Sequence, residues 1–246
     1  MIELFGVMKK TYLCRLGSEI QALVEDIERS SGIEICVETD DSRVGRNVGE
    51  PDPLACVIDE SEARLLVPSS TELSDGPVLH ELLHIHRFLV EGVPQISVCE
   101  DRWTPHLEQV FAQLDNNLEH LVIVPLEIQR IPERHGLWVK KFRRVLSQVR
   151  DGKLPKADQK FLAIYGRFFV DYVLKDTTLL ELSESILDTL GLQSEAEVFR
   201  QKIFSALSSK EAAIRVVVDL FKLDPSLICL DYLNPRRRSC EQKSLH

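Results

Sequence analysis

Between residues 17 and 27 the apolar positions Ile20, Leu23, Val24 and Ile27 recur at helical spacing and predict an amphipathic helix. Gly32 is placed to end it. Residues 33–37 (IEICV) then alternate apolar and polar, the pattern of a half-buried strand. Residues 39–53 are polar, carry two Gly and two Pro, and read as a loop. Two more strands are expected at 54–58 and 63–67, joined as a hairpin through the acidic turn 59–62. Residues 69–76 read as a loop in which Ser74 or Asp75 can cap a helix and Pro77 suits its first turn.

The next helix, expected over 77–91, carries Val78, Leu79, Leu82, Leu83, Ile85, Phe88, Leu89 and Val90. These cover nearly its whole circumference, and a helix that is apolar all round belongs in the interior. Gly92 stands where such a helix stops. A short strand at 93–98 follows, then a helix over 105–124 that Pro125 is expected to end. Residues 137–149 predict a basic helix, and 151–155 (DGKLP) is the best candidate boundary. Residues 156–233 read as four or five helices, with caps at Asp176 and at Ser194–Glu195. The expected fold is α+β over 1–150, followed by an all-helical C-terminal extension over 151–246.

Inside the buried helix the sequence runs His80-Glu81-Leu82-Leu83-His84. Two histidines four positions apart lie about 40° apart around a helix and can bind one metal ion together. Neutral imidazoles suit zinc, and a glutamate beside the first ligand can act as general base on water. Placing three such polar groups in an apolar helix is costly unless they pair or ligate.

A third ligand is sought on the helix over 105–124. With Asp115 at 0°, the apolar residues Val110, Phe111, Leu114, Leu118, Leu121 and Val122 fall between about −140° and −20°, Glu119 at about 40° and His120 at about 140°. Glu119 therefore adjoins the buried stripe, 35 residues after His84, and is the preferred ligand. Asp115, one turn earlier, is placed to hold a ligand imidazole, and Asn116 could serve likewise. Asp115 or His120 as the ligand remain alternatives.

The HExxH helix, the strand hairpin before it and the ligand helix after it make residues 15–125 resemble the zincin metallopeptidases. Arg87 and Val90 stand where the extended HExxHxxGxxH signature needs Gly and His, so the likeness is to the branch with a glutamate third ligand. The layout is also similar to the ImmA/IrrE-type peptidases, although their Glu-Ala-Asn-x-Phe-Ala run is replaced here by Asp115-Asn116-Asn117-Leu118-Glu119. The resemblance implies a zincin-like core, a zinc cofactor and hydrolysis of a peptide bond in a protein or peptide substrate. It also implies a regulatory setting such as a stress, phage or mobile-element response. Zinc would be held by His80, His84 and Glu119, with Glu81 as base. The rival reading is a catalytically silent zincin-like sensor or protein-binding module.

Composition narrows this picture. Acidic residues number 39 against 30 basic, a net charge of −9 that disfavours nucleic acid and leaves a protein or peptide as the expected partner. No stretch is apolar enough to span a membrane and the opening is not a secretory signal, so a cytoplasmic protein is expected. The six cysteines include no CxxC pair and are expected to be reduced thiols, with Cys36, Cys56, Cys99 and Cys229 in apolar surroundings. Tyr165 and Tyr172, seven apart, are expected in the core. His86 is expected in the core or near the ligands, and His106 at the surface. Arg130, Arg134, Lys140, Lys141, Arg143 and Arg144 read as a solvated basic face, and the Arg236–Arg238 knot as part of a solvated tail.

Overall fold

A computed structural model describes residues 15–41, 54–69 and 73–245. Part of the loop expected at 39–53 and of that at 69–76 lies outside them. The chain divides into two compact units, one comprising residues 1–115 with 226–246 and the other 116–225.

In the first unit, α1 (Ser18–Ser31) buries Ile20, Val24 and Ile27. It ends where Gly32 takes a left-handed conformation, φ 76°, and its N–H donates to the Glu28 carbonyl. Strands β1 (Ile35–Thr39), β2 (Ala55–Ile58) and β3 (Ala63–Val67) form a sheet in the order β1-β3-β2. β1 runs parallel to β3 with Ile35 opposite Ala63, and β2 antiparallel with Ala55 opposite Leu66. The expected hairpin is present. Asp59 holds its turn by accepting the N–H groups of Ser61 and Glu62 at 2.7 and 2.8 Å.

Helix α2 (Asp75–Leu89) packs on α1, on β2 and β3, and on a strand from the C-terminus. Its apolar residues are buried on every side, as their spread around the helix demands. Asp75 joins the start of α2 to α1 by accepting the Gly17 N–H at 3.0 Å.

The C-terminal segment departs from expectation. After a 3-10 turn at Pro225–Leu227 come β5 (Ile228–Asn234) and β6 (Ser239–Ser244). With β4 (Gln95–Val98) they form a second sheet, antiparallel, in the order β4-β5-β6. Val98 lies opposite Ile228 and Gln95 opposite Asp231. The extension is therefore not all-helical: its last segment supplies two strands to the first unit. The arginine knot forms the exposed turn between β5 and β6. Two of the cysteines expected to be reduced, Cys99 and Cys229, are joined by a disulfide across this sheet, with Cα atoms 5.4 Å apart. Strand pairing between segments 130 residues apart brings them together, which no local spacing announces.

Helix α3 (Pro105–Arg130) also departs from expectation, because Pro125 lies inside it rather than at its end. Proline removes one backbone donor and crowds the preceding turn. Burial of the apolar side chains Ile123 and Val124 beside it offsets part of that cost. α3 is continuous through Asn116, where the second unit begins.

The second unit continues with α4 (Arg134–Arg150), α5 (Lys156–Phe169) with a π-helical turn at Val170–Leu174, α6 (Thr177–Leu190), α7 (Gln193–Ala206) and α8 (Lys210–Phe221). The segment 151–155, expected to divide domains, is a turn between α4 and α5, which pack together. Gly166 permits that approach, since a Cβ there would lie 3.1 Å from Leu146 Cδ2. Phe142 stacks on Phe169 with centroids 4.0 Å apart, and Tyr165 packs beside both. Asp176 caps α6 by accepting the Leu179 N–H at 2.8 Å. α7 begins one residue before Ser194, and no side chain caps it.

Candidate metal centre

The two histidines of α2 are placed by its burial. His80, Glu81 and His84 are 7%, 8% and 6% exposed, on a helix whose neighbouring turns are filled by Leu79, Leu82, Leu83 and Ile85. The rings of His80 and His84 meet edge-on with centroids 5.1 Å apart, as the four-residue spacing requires. His84 also stacks on Phe88, one turn on. Among the described residues Glu81 makes no hydrogen bond or ion pair, so its carboxylate is uncommitted.

On α3 the sequence places Asp115, Asn116, Glu119 and His120 as candidates. Asp115 accepts the Ile96 N–H at 2.9 Å and so ties α3 to β4. Asn116 is exposed. Glu119 is buried and its Oε1 lies 3.1 Å from Lys210 Nζ, with the two side chains 1% and 2% exposed.

His120, set facing away from the apolar stripe by the helical wheel, is in fact buried. Its ring meets Trp138 of α4 edge to face, with centroids 4.9 Å apart. The Trp138 indole N–H donates to Glu127 Oε2 at 3.1 Å, and the Arg134 Nε–H donates to Glu127 Oε1. α3 therefore has a second buried stripe formed by His120, Ile123, Val124 and Glu127, at the i, i+3, i+4, i+7 spacing of one helix face. Ending the helix at Pro125 leaves out only Glu127, since Ile123 and Val124 precede the proline and already fall on the His120 side. Reading through Pro125 completes the stripe, whereas Lys210 and Trp138 carry no local signal.

His80, His84 and His120 form a buried group whose ligand nitrogens all lie within 4.8 Å of one another. Such a group could hold a metal ion. The donors fit zinc: three neutral imidazoles are a known catalytic set that leaves the fourth position of a tetrahedron open. They fit calcium or magnesium poorly, since those cations take oxygen ligands.

The remaining candidates have other partners. His86 pairs with Glu91 at 3.1 Å, and His106 is exposed. His135 Nε2 lies 2.8 Å from the Leu174 carbonyl, at the end of the π-helical turn. Tyr165 is in the core, where its hydroxyl donates to the Asn117 carbonyl at 2.7 Å and burial pushes its pKa well above the usual value. Tyr172 packs between Phe168 and Phe204. Within the basic stretch Arg134 is buried against Glu127 and Lys141 lies over the Trp138 ring, so the stretch is not wholly a solvated face.

No family model matches the chain, and neither a curated protein nor a solved structure matches it significantly. No helix among the described residues is long and apolar enough to cross a membrane.

Proposed function

We propose that the chain is a zinc-dependent peptidase in which His80, His84 and His120 hold the metal and Glu81 is the general base. The observation that carries this reading is the buried three-histidine group with an uncommitted carboxylate next to its first member. A structural zinc site closes its coordination with four protein ligands, whereas three leave room for substrate and water. Zinc in that site supplies Lewis acidity, which activates water at neutral pH and polarises a carbonyl. Glu81 takes the proton from the attacking water and passes it to the departing amine. The apolar surroundings of α2 keep competing solvent low and strengthen each electrostatic contact.

A protein or peptide is the proposed substrate, in keeping with the net charge of −9. The Cys99–Cys229 disulfide favours an oxidising compartment over the cytoplasmic setting expected from the sequence. The zincin likeness supports the reading in layout, although the ligand set favoured here has His120 where that branch has glutamate.

The test is Glu81→Gln, assayed for zinc content and for cleavage of a fluorogenic peptide library. Zinc is expected to stay near one equivalent while turnover falls about 10²–10⁴-fold. Unchanged cleavage by the variant would remove Glu81 from the mechanism. A wild-type protein that carries zinc and cleaves nothing would favour the silent binding module.

A further inference from the structure

Glu119 and His120 are adjacent on α3, so their side chains leave the helix about 100° apart and cannot both face one point equally. One contact that bears on the choice lies within the second unit. Lys210, the first residue of α8, places its ammonium 3.1 Å from Glu119 Oε1, and both side chains are almost wholly buried. A buried carboxylate holds its charge only beside a compensating cation, and a metal ion competes with an ammonium for that place. The position of Lys210 is itself built into the fold. Ser209 starts α8 by accepting the Ala212 N–H at 3.3 Å, and Ala213, Ile214, Val217 and Val218 anchor the helix in the core. His120 is braced independently by Trp138, whose indole is fixed by Glu127.

We propose that the Lys210–Glu119 ion pair selects the third metal ligand: it neutralises Glu119, keeps that carboxylate out of coordination and leaves the place to His120. The proposal rests on the zinc reading above and makes Lys210 a positioning residue. Its chemical consequence is a donor set of three neutral imidazoles, which leaves the full charge of a divalent ion available to polarise water and a carbonyl. A glutamate ligand would cancel half of that charge.

The test uses the full chain loaded with Co²⁺, read by metal stoichiometry, affinity and the visible absorption of the ion. Glu119→Gln is expected to bind one equivalent with the wild-type spectrum, because that carboxylate is not a ligand. His120→Ala is expected to weaken binding by more than about 100-fold, beyond the loss typical of an outer-shell partner. In the Lys210→Met background the same His120→Ala change is expected to be rescued to within about tenfold of wild type, as the freed Glu119 takes the vacant place. Adding Glu119→Gln to that double variant should abolish the rescue. Absence of rescue in a folded Lys210→Met/His120→Ala protein overturns the proposal, and so does a Glu119→Gln variant with a lost or shifted spectrum. Should Lys210→Met fail to fold, the Glu119→Gln spectrum decides alone. Wild-type affinity in His120→Ala with Lys210 intact would instead overturn the three-histidine reading itself, and the proposal with it.

Discussion

Trp138 meets His120 edge to face, with ring centroids 4.9 Å apart. This contact gives α3 a second buried face and turns a histidine that the apolar stripe leaves outside into an interior group. Behind the indole stands Glu127, which receives both the Trp138 N–H and the Arg134 guanidinium and is itself fully buried.

The Glu127–Arg134 pair is expected to behave as a buried charge pair, costly to break on one side only. Glu127→Ala should lower the unfolding free energy by about 3–5 kcal/mol, because it strips a buried guanidinium of its carboxylate. Replacing both, as Glu127→Leu with Arg134→Met, should cost markedly less. Urea unfolding of the two variants checks this, and equal losses in both would contradict it.

The disulfide closes a loop of 130 residues, so it restricts the unfolded chain strongly. Loop-closure entropy puts its contribution at about 4–5 kcal/mol, with measured native bridges spanning about 2–5. Cys99→Ser/Cys229→Ser should unfold at correspondingly lower urea than the oxidised wild type. A non-reducing peptide map should show the two cysteines linked. Free thiols at both positions in freshly purified protein would remove the bridge from the fold.

Tyr165 carries the pH prediction. Burial raises its pKa, so the folded state holds the phenolic proton more tightly than the unfolded chain does. The stability it contributes is complete below the unfolded value of about 10 and is lost as pH rises above it towards the folded value. Of the four tyrosines, this one should ionise only together with unfolding in an alkaline absorbance titration. Tyr165→Phe should cost about 0.5–1.5 kcal/mol for the lost hydrogen bond to Asn117 and should remove that late step. A phenol at position 165 that titrates near 10 in folded protein would contradict its burial.

Local pattern made much of the first unit legible. The β2–β3 hairpin follows from two short apolar runs and an acidic turn, and α2 follows from its unbroken apolar surface. The His80–His84 geometry follows from helical spacing alone. What escaped was non-local or lay past a misleading breaker. β5 and β6 pair with β4 only after the intervening helices bring them back, so residues 228–244 resemble a helix end and a polar tail when read by themselves. The Cys99–Cys229 link shares that cause. His120 was displaced because the buried stripe is drawn from residues up to Val122 alone: Ile123 and Val124 already fall on its side of the helix, and Pro125, read as a stop, hides only Glu127 beyond them. Lys210 lies 91 positions from Glu119, and nothing in either segment pairs them.

The most direct measurement is the zinc content of the purified full-length protein, compared between wild type and the single variants His84→Ala and His120→Ala. About one equivalent in wild type, lost from both variants while their circular dichroism spectra remain those of folded protein, is the expected result. A wild-type protein without affinity for zinc, or zinc fully retained in folded His120→Ala, would contradict the three-histidine centre.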